Sequence, residues 1–421
     1  MKRRRVSFQL IVSLTITFYS SQYIASPFSF IQNYEKSWYT KTFLASVQEP
    51  LDFVSTFESS ASWFLRHEKI SNILVCGDGD LSYSASIATH CSNLGISLTA
   101  SVLEDEATHN RVYVDSLQNS ASIRKSSPQH SVLFGIDATQ LPMHFPNEVF
   151  DRIVFNFPHW KGKSNHKHNK ALLNAFFESA VHLLSTKGEI HVSLCQHQGG
   201  NHAKTIEEWK DSWAISVYAA EHGLLNIGIN KFLPNYTLSS FRGRDKGFYT
   251  GDQPDLYIFS KPNGVDSVPK QLRLCCRQEL HVQLPDRNSQ DLSSFILEDI
   301  KWGDSILNMA RSVVPQEISV EVPARKIWSQ EETGYPTDIA IFLVVYCGEG
   351  LPMRRGDANE YRSRLESKVS EVLALRENRK DRFVSKPFPY SLLSYILKVH
   401  SSYGHMKDSY HEQLNEKETI N

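Results

Sequence analysis

Along residues 72–260, the spacing of apolar residues alternates between a pattern typical of strands and a pattern typical of helices. Short apolar runs of strand length alternate with longer stretches in which apolar residues recur at helical spacing. Strands are predicted at residues 72–76, 96–102, 131–135, 151–156, 188–195, 224–230 and 254–260. Helices are predicted at residues 47–70, 82–93, 106–123, 168–185 and 204–222. This alternation favours an α/β fold with a parallel, doubly wound sheet, in a first domain at residues 47–262.

The pattern changes after Pro262, Gly264 and Pro269, which mark a linker. Beyond it, strands are predicted at 279–284, 317–324 and 337–346, and helices at 293–312 and 358–375. This βαββα order lacks only a last strand for a ferredoxin-like unit, and residues 382–384 are a candidate for that strand. A smaller α+β domain is therefore predicted at residues 270–386, followed by a polar, disordered tail at 387–421.

The first 34 residues contain no acidic side chain. Lys2–Arg5 precede a moderately apolar stretch, Val6–Thr17, and the small residue Ala25 stands near a possible cleavage point. Two interpretations of residues 1–34 stay open. A targeting leader would direct the protein to an organelle, whereas a disordered start would leave it in the cytoplasm or nucleolus. The apolar stretch is too short and polar for a membrane span, so no stable membrane association is expected.

The composition adds two constraints. Lys and Arg number 45 against 46 Asp and Glu, which gives a net charge of −1. Any surface that binds nucleic acid must therefore be local. The six cysteines include no C-x-x-C pair, so neither a metal site nor a disulfide framework is predicted.

The first predicted strand ends in a glycine turn, Gly77-Asp78-Gly79. Glycines let the backbone turn tightly and let a ligand approach the main chain, and ligands of doubly wound sheets bind beyond the carboxyl ends of the strands. Ser82 stands where a dinucleotide-binding loop has its third glycine, and two carboxylates here would repel a pyrophosphate. An NAD-dependent oxidoreductase is therefore disfavoured. S-adenosylmethionine (SAM) carries a sulfonium and an ammonium group and suits an acidic turn, although a turn without a ligand remains the alternative.

Acidic residues also follow the next two predicted strands. Glu104 follows the second strand, where a carboxylate accepts hydrogen bonds from ribose hydroxyls. Asp137 follows the third, where a carboxylate meets an adenine amino group. Together with Gly77, Asp78 and Gly79, these two residues are predicted to bind SAM.

Asn156-Phe157-Pro158-His159 ends the fourth predicted strand and resembles the Asn/Asp-Pro-Pro-aromatic signature of methyltransferases that act on planar nitrogens. Asn156 is the candidate for orienting a nucleobase, and an aromatic ring would stack on that base. His159, or His197 in the cluster after the fifth strand, is the candidate for accepting or relaying a proton. A purely structural histidine is the alternative for His159. Two motifs thus point to SAM chemistry on a nucleobase.

A basic segment, Lys161–Lys170, follows this motif and contains four lysines and two histidines. These side chains are positioned to contact phosphates of a nucleic acid. A solvated basic loop explains them equally well, so both interpretations stay open.

Several segments resemble the family of ribosomal RNA uracil-N3 methyltransferases, among them ILVCGDGDLSYS, FGIDAT and FNFPHWKGK. SLCQHQGG is closer to a subgroup, ferredoxin-fold anticodon-binding domain-containing protein 1, and residues 279–384 are similar in pattern to that subgroup's anticodon-binding module. The resemblance implies a Rossmann-like SAM methyltransferase domain and an RNA partner, rRNA rather than tRNA and not DNA. It also implies that residues 77–79 and Asp137 bind SAM and that Asn156 to His159 face the base.

The sequence therefore predicts a SAM-dependent RNA base methyltransferase that modifies uridine N3 in rRNA. A protein of a different class remains the alternative. It would bind RNA or tRNA without catalysis and would use a degenerate methyltransferase scaffold and the second domain as docking surfaces.

Overall fold

The computed structural model describes residues 70–160, 162, 165–203, 206–233, 236–239, 248–265, 268–283, 303–333 and 338–377. The predicted leader, the helix at 47–70 apart from its last residue, the strand at 382–384 and the polar tail lie outside the described residues. Within the described ranges, no helix is both long and apolar enough to cross a membrane.

The first domain contains seven strands and seven helices within the described residues. Its strands are β1 (Asn72–Cys76), β2 (Ser97–Ser101), β3 (Ser131–Leu133), β4 (Phe150–Asn156), β5 (Leu184–Leu194), β6 (Leu225–Lys231) and β7 (Asp255–Ser260). Its helices are α1 (Ser82–Asn93), α2 (Glu106–Val112), α3 (Ser116–Ser126), α4 (Leu141–His144), α5 (His166–Leu183), α6 (Ile206–Asp211) and α7 (Ile215–Glu221).

Two predicted helices are each a pair of shorter helices. The predicted helix at 106–123 is interrupted because Tyr113 has extended backbone angles (φ −109°, ψ 116°). The predicted helix at 204–222 is interrupted because Ala214 lies in the left-handed region (φ 48°, ψ 47°). Hydrophobic spacing alone does not reveal such breaks.

The seven strands form one sheet with the order β3-β2-β1-β4-β5-β7-β6. The neighbours from β3 to β5 are parallel, but β7 is antiparallel to both β5 and β6. The predicted doubly wound α/β sheet is thus confirmed, but its strand pairs at this edge are antiparallel rather than parallel. A parallel pair needs a crossover, usually a helix, and the described residues between β6 and β7 contain no helix.

Helices cover both faces of this sheet. On β1, Leu74 packs in a cluster with α5 residues such as Phe176. Ile73 and Val75 pack on the opposite face with α1 residues such as Ile87. Alternate residues of one strand thus enter two cores, which explains why β1 is a continuous apolar run.

The second domain has the predicted βαββα order among its described residues, with one short additional helix (α9, Gln330–Thr333) between its second and third strands. Its elements are β8 (Cys275–Gln283), a helix at residues 303–311 (α8), β9 (Ile318–Trp328), α9 (Gln330–Thr333), β10 (Ile339–Gly348) and α10 (Arg355–Glu377). The antiparallel sheet has the order β8-β10-β9, and alternate residues of β10 such as Phe342 pack with Leu365 of α10. The ferredoxin-like assignment stays a prediction, because the proposed last strand lies outside the described residues.

The second domain also contains a disulfide bond that the sequence analysis did not predict. Cys275 of β8 and Cys347 of β10 are register partners in the antiparallel sheet, with their Cα atoms 4.2 Å apart. The two cysteines are separated by 72 residues. Only the pairing of the strands brings them together, so their spacing in the sequence carried no signal.

Candidate active site

In the glycine turn after β1, two positions have a positive φ, a backbone conformation that glycine adopts more easily than other residues. Gly77 has φ +58°, and a Cβ there would lie 2.9 Å from the Phe155 ring. Gly79 has φ +45°, and a Cβ there would lie 2.7 Å from Ser239 Oγ. Leu81, at φ 69°, is buried in the same conformation without being glycine. Strained backbone of this kind concentrates at functional sites.

Asp78 points inward and organises the start of α1. Its Oδ2 accepts a hydrogen bond from the Ser84 backbone N–H at 2.8 Å, which satisfies a donor in the first turn of the helix. Burial raises the pKa of Asp78 to about 7, although the hydrogen bonds from Ser84 oppose that rise. Asp78 therefore shapes the turn, and its direct contact with SAM stays a prediction.

Two side chains that the sequence analysis missed support the turn from the side of α2 and α3. His109 is fully buried, with its Nε2 2.6 Å from the Gly79 carbonyl oxygen. Because a carbonyl oxygen only accepts, Nε2 carries the proton of this bond. Asn119 Nδ2 donates to the Asp80 carbonyl oxygen at 2.9 Å. No motif revealed these residues, since they meet the turn only through the packing of the helices.

The strand ends that carry the predicted cofactor residues are tied together by backbone hydrogen bonds. The Asp78 N–H donates to the Ser101 carbonyl at 3.3 Å, and the Gly135 N–H donates to the Glu104 carbonyl at 2.9 Å. The carboxylates of Glu104 and Asp80 both raise the pKa of Tyr113, after the larger effect of its burial. Glu104 and the glycine turn thus lie at one edge of the sheet.

Asp137 lies in the loop that follows β3, at the same edge of the sheet. Its Oδ1 accepts hydrogen bonds from the Thr139 backbone N–H at 2.9 Å and from the Thr139 hydroxyl at 2.7 Å. One carboxylate oxygen therefore holds the local turn. The role of Asp137 in SAM binding stays a prediction.

Asn156 is the last residue of β4, the parallel neighbour of β1. Its Oδ1 accepts a hydrogen bond from the Ser193 hydroxyl at 2.8 Å, which fixes the orientation of the amide. Its Nδ2 is buried and makes no hydrogen bond within the part of the chain that the structure describes. A buried donor without an acceptor costs about 1–3 kcal/mol. An oriented donor of this kind at a strand end is suited to a ligand that brings the acceptor.

Aromatic rings form a wall beside Asn156. The Phe157 ring lies 5.1 Å from that of Phe232 and 5.5 Å from that of Phe248, measured between centroids. The Tyr236 ring lies 6.5 Å from Phe232 and 5.4 Å from Tyr83 of α1. The sequence analysis missed Phe232, Tyr236 and Phe248, because they follow β6 and reach the site only through the antiparallel arrangement of β6 and β7.

The two histidine candidates occupy different environments. His159 is partly buried and precedes Trp160, whose backbone N–H donates to Asn169 Oδ1 at 2.8 Å. His197 is exposed after β5, and its ring lies 5.9 Å from that of His202. Asn156 and His197 lie at the ends of neighbouring strands, β4 and β5. The His197 ring nevertheless contacts His202 and not the base motif among the described residues. The roles of both histidines in proton transfer stay predictions.

Part of the basic segment lines a groove between α5 and α7. The groove has a volume of about 520 Å³ and is bounded by Lys167, Lys170, Ala171, Asn174 and Tyr218. The Lys170 ammonium donates to the Lys210 carbonyl at 2.9 Å. Lys161 and Lys163 lie outside the described residues.

The strand order and the site together define a class of protein. The sheet is Rossmann-like, and its seventh strand is inserted antiparallel between the fifth and the sixth. A glycine turn follows β1, and β4 ends in a polar residue. These features define a SAM-dependent methyltransferase fold. SAM is the cofactor that this class uses. The family model described as rRNA (uridine-N3-)-methyltransferase BTM5-like matches residues 74–238.

Known proteins agree with the resemblance to the subgroup. The mouse ferredoxin-fold anticodon-binding domain-containing protein 1 homolog is 32% identical over 222 residues, which cover 51% of this chain and 34% of the mouse protein. The human protein is 34% identical over 222 residues, which cover 47% of this chain and 35% of the human protein. The chain thus spans about a third of these relatives. The predicted resemblance to the uridine-N3 methyltransferase-like family and to this subgroup is confirmed.

Solved methyltransferase structures are more distant. One is the O-methyltransferase from a trans-AT PKS multienzyme of Brevibacillus brevis, in complex with S-adenosyl-L-homocysteine. It is 14% identical, covers 46% of this chain and 67% of its own chain, and has a TM-score of 0.27.

Proposed function

We propose that this protein transfers a methyl group from SAM to N3 of a uridine in rRNA. The observation that carries the proposal is the buried Asn156 amide, which is held by Ser193 and presents Nδ2 without a protein acceptor among the described residues. It lies at the end of the strand beside the glycine turn. The description of the matched family model supports the choice of an rRNA uridine as the substrate.

The residues present at the sheet edge fit SAM. Side chains at positions 77 and 79 would fill the space beside the turn, and both positions are glycine. The acidic groups around the turn suit a cation, as Asp80 and Glu104 approach the same tyrosine. In this proposal residues 77–79, Glu104 and Asp137 hold SAM, which supplies the methyl group on its sulfonium.

Three parts of the chain then act on the base. The Asn156 amide binds and orients it, and the aromatic wall of Phe157, Phe232 and Phe248 excludes water from its face. His159 accepts the N3 proton, so that the nitrogen lone pair becomes available for attack. Alignment of this nitrogen with the methyl group accounts for most of the reduction in the activation free energy.

The RNA strand contacts the groove beside α5 in this proposal. Lys167 is exposed and Lys170 is partly exposed, and both stand close to the first turn of the helix that follows the base motif. Lysine ammonium groups bind phosphates without reading sequence. The second domain supplies further RNA contacts.

The proposal is tested with the full chain, SAM and rRNA from cells that lack the protein. Calorimetry is expected to give a micromolar Kd for SAM, about −8 kcal/mol. Mass spectrometry of the incubated rRNA is expected to detect 3-methyluridine, which is then mapped to its position. Absence of SAM binding in a folded protein would instead favour the non-catalytic docking protein.

Asn156→Ala separates base orientation from cofactor binding. We expect the variant to keep its SAM affinity within about twofold and to lose about 100-fold or more in methyl transfer, because misplacing the base by about 1 Å has that effect. Asn147→Ala, in the exposed loop that precedes β4, is the matched control for SAM affinity, activity and folding. Full activity in Asn156→Ala would remove Asn156 from the site.

A further inference from the structure

The three-stranded sheet of the second domain is apolar on both faces. Its inner face packs with α8 and α10, through β10 residues such as Phe342. The alternate residues of β10 point to the opposite side, the outer face. The buried cluster on the outer face consists of Trp328, Ile339, Ile341, Leu343 and Val345. Antiparallel sheets that leave one face to water alternate apolar and polar residues, whereas β10 is apolar at every position from Ile339 to Tyr346.

The outer face is shielded from water. Ile341 is 0% exposed and Leu343 is 3% exposed, although side chains on a sheet stand out from its plane. Every described hydrophobic side chain in this cluster belongs to the sheet itself, and α8 and α10 pack on the inner face. The described residues thus supply the face but not an apolar cover for it.

Polar side chains border the apolar stripe of β10. His281 of β8 and Lys326 of β9 are both register partners of Ile341, and register partners point to the same face. His281 Nε2 lies 3.2 Å from a Glu279 carboxylate oxygen, and the Lys326 ammonium lies 4.5 Å from the centroid of the Trp328 ring. An apolar stripe between two polar borders fits an amphipathic helix that lies along β10.

The sequence after α10 contains a segment of this kind. Residues 390–400 read YSLLSYILKVH. At about 100° per residue, Ser391, Ser394 and Lys398 share one side of a helix, and the apolar residues occupy the rest of its surface. Those apolar residues include Leu392, Leu393, Ile396, Leu397 and Val399. Pro389 precedes the segment, where proline does not interrupt a helix. Residues 390–400 are therefore an amphipathic exception within the polar tail.

The connection to this segment is long enough for it to reach the outer face. Residues 378–391 follow α10, which ends at Glu377. A chain of about 14 residues spans about 45 Å when extended, whereas α10 itself is about 35 Å long. Other parts of the chain outside the described residues are tied elsewhere. Residues 1–69 lead into β1 of the first domain, and residues 284–302 lead into α8 on the inner face.

We propose that residues 390–400 pack as an amphipathic helix on the outer face of the sheet in the second domain. The apolar side of the helix contacts Ile341 and Leu343, and Ser391, Ser394 and Lys398 face water. RNA contacts of the second domain then use other surfaces than this face. The inference does not depend on methyl transfer.

The test places a photo-crosslinker at the border of the outer face in the full chain, with the substitution Lys326→p-benzoyl-L-phenylalanine. After irradiation and digestion, mass spectrometry is expected to find cross-links within one chain, between position 326 and residues 388–400. Cross-links between two chains would identify a second copy as the occupant. Cross-links only to added single-stranded RNA would identify RNA, and either result would overturn the inference. The same photo-crosslinker at Met143, which is 77% exposed on the first domain, controls for random collisions and is expected to give no cross-link to residues 388–400.

Ile396→Asp and Ser394→Asp test which side of the segment faces the sheet. Ile396→Asp is expected to lower the yield of the cross-link from position 326 about fivefold or more, because its carboxylate would be buried against apolar side chains. Ser394→Asp is the matched control on the polar side and should change the yield less than about twofold. Equal yields in the two variants would contradict packing through the apolar side.

Hydrogen exchange of the wild-type full chain tests the inference without any substitution. The amides of residues 393–400 are expected to exchange about tenfold or more slowly than those of residues 405–421, because a packed helix protects its amides. Equal exchange in the two ranges would overturn the inference, whatever the activity of the first domain.

Discussion

At the scale of single residues, three buried polar groups lie at or beside the site. Asp78, His109 and Asn156 each have a polar atom in the interior next to the glycine turn or its neighbouring strand. Two of these groups hold backbone in place, and the third presents an unsatisfied donor. A buried polar group reduces stability unless it is hydrogen-bonded, so Asn156 Nδ2 is the one of the three that costs folding free energy for want of a partner.

Asp78→Asn is predicted to stabilise the free protein above neutral pH. The folded-state pKa is raised to about 7 from 3.8, so the folded state binds the proton more tightly and its stability falls as pH rises from about 4 to about 7. Three pKa units correspond to about 4 kcal/mol. The buried asparagine N–H groups reduce this gain by about 1–3 kcal/mol, which leaves about 1–3 kcal/mol at pH 8.

Urea denaturation at pH 4.5 and pH 8 measures this effect, and Asp105→Asn is the contrasting control. Asp105 accepts a hydrogen bond from the Thr108 N–H at 2.9 Å, which lowers its pKa. The stability that Asp105 contributes is present above its unfolded-state pKa and is lost as pH falls through its lower folded-state pKa. Asp105→Asn should therefore destabilise the protein at pH 8. An equal gain for Asp78→Asn at both pH values would contradict burial as the cause.

His109→Ala is predicted to weaken SAM binding about tenfold, about 1.4 kcal/mol. The substitution removes the Nε2 hydrogen bond that holds the Gly79 carbonyl, so the turn is no longer fixed before SAM arrives. His130→Ala is the matched control. His130 is also buried, but its Nε2 contacts the Ala88 carbonyl in the middle of α1, at 2.9 Å.

Calorimetry with SAM and thermal unfolding separate the two histidines. Both variants should lose stability, because both remove a buried imidazole and the hydrogen bond that it makes. Only His109→Ala should lose SAM affinity. Equal SAM affinities in the two variants would show that His109 supports the fold and not the cofactor turn.

At the scale of elements, the connections between the strands provide more of the residues that line the site than the strands themselves do. β1, β2 and β4 bring the glycine turn, Glu104 and Asn156 to one edge. The outer wall comes from the connection between β6 and β7, which returns across the turn because β7 runs antiparallel. The start of α5 adds lysines beside the base motif.

Replacing Lys167 and Lys170 together by Gln is predicted to weaken binding of single-stranded RNA by about tenfold at moderate salt. Each lysine that contacts a phosphate adds about 0.7 to the slope of log affinity against log salt. The double variant should therefore lower that slope by about 1.4, which anisotropy titrations with labelled RNA of about 20 nucleotides measure. Lys125→Gln with Lys187→Gln removes two exposed lysines elsewhere on the domain and should leave the slope unchanged.

At the scale of the whole molecule, two sheets have separate cores. The seven-stranded sheet is packed on both faces, and the three-stranded sheet packs with α8 and α10. The disulfide between Cys275 and Cys347 joins two neighbouring strands of the smaller sheet. With a net charge of −1, the chain has no global attraction for RNA. Affinity for RNA therefore depends on local surfaces such as the groove beside α5.

Local sequence determined the elements that depend on short-range physics. The bounds of β1 and α1 follow from an apolar run, a glycine turn and a helical period, and the structure reproduces residues 72–76 and 82–93 as predicted. Asn156 was recognisable because its motif is contiguous. Parallel strands also place their ends at a common edge, so Glu104 was expected beside the turn.

Only the tertiary structure determined the contacts between distant segments. His109 under Gly79, Tyr236 against Tyr83 and Cys275 opposite Cys347 are each pairs of residues that lie far apart in the sequence. The inward direction of the Asp78 carboxylate likewise depends on α1 packing above it. Periodicity reports which face of an element is buried, but it does not report which other element covers that face, and the wall of this site is built from such pairings.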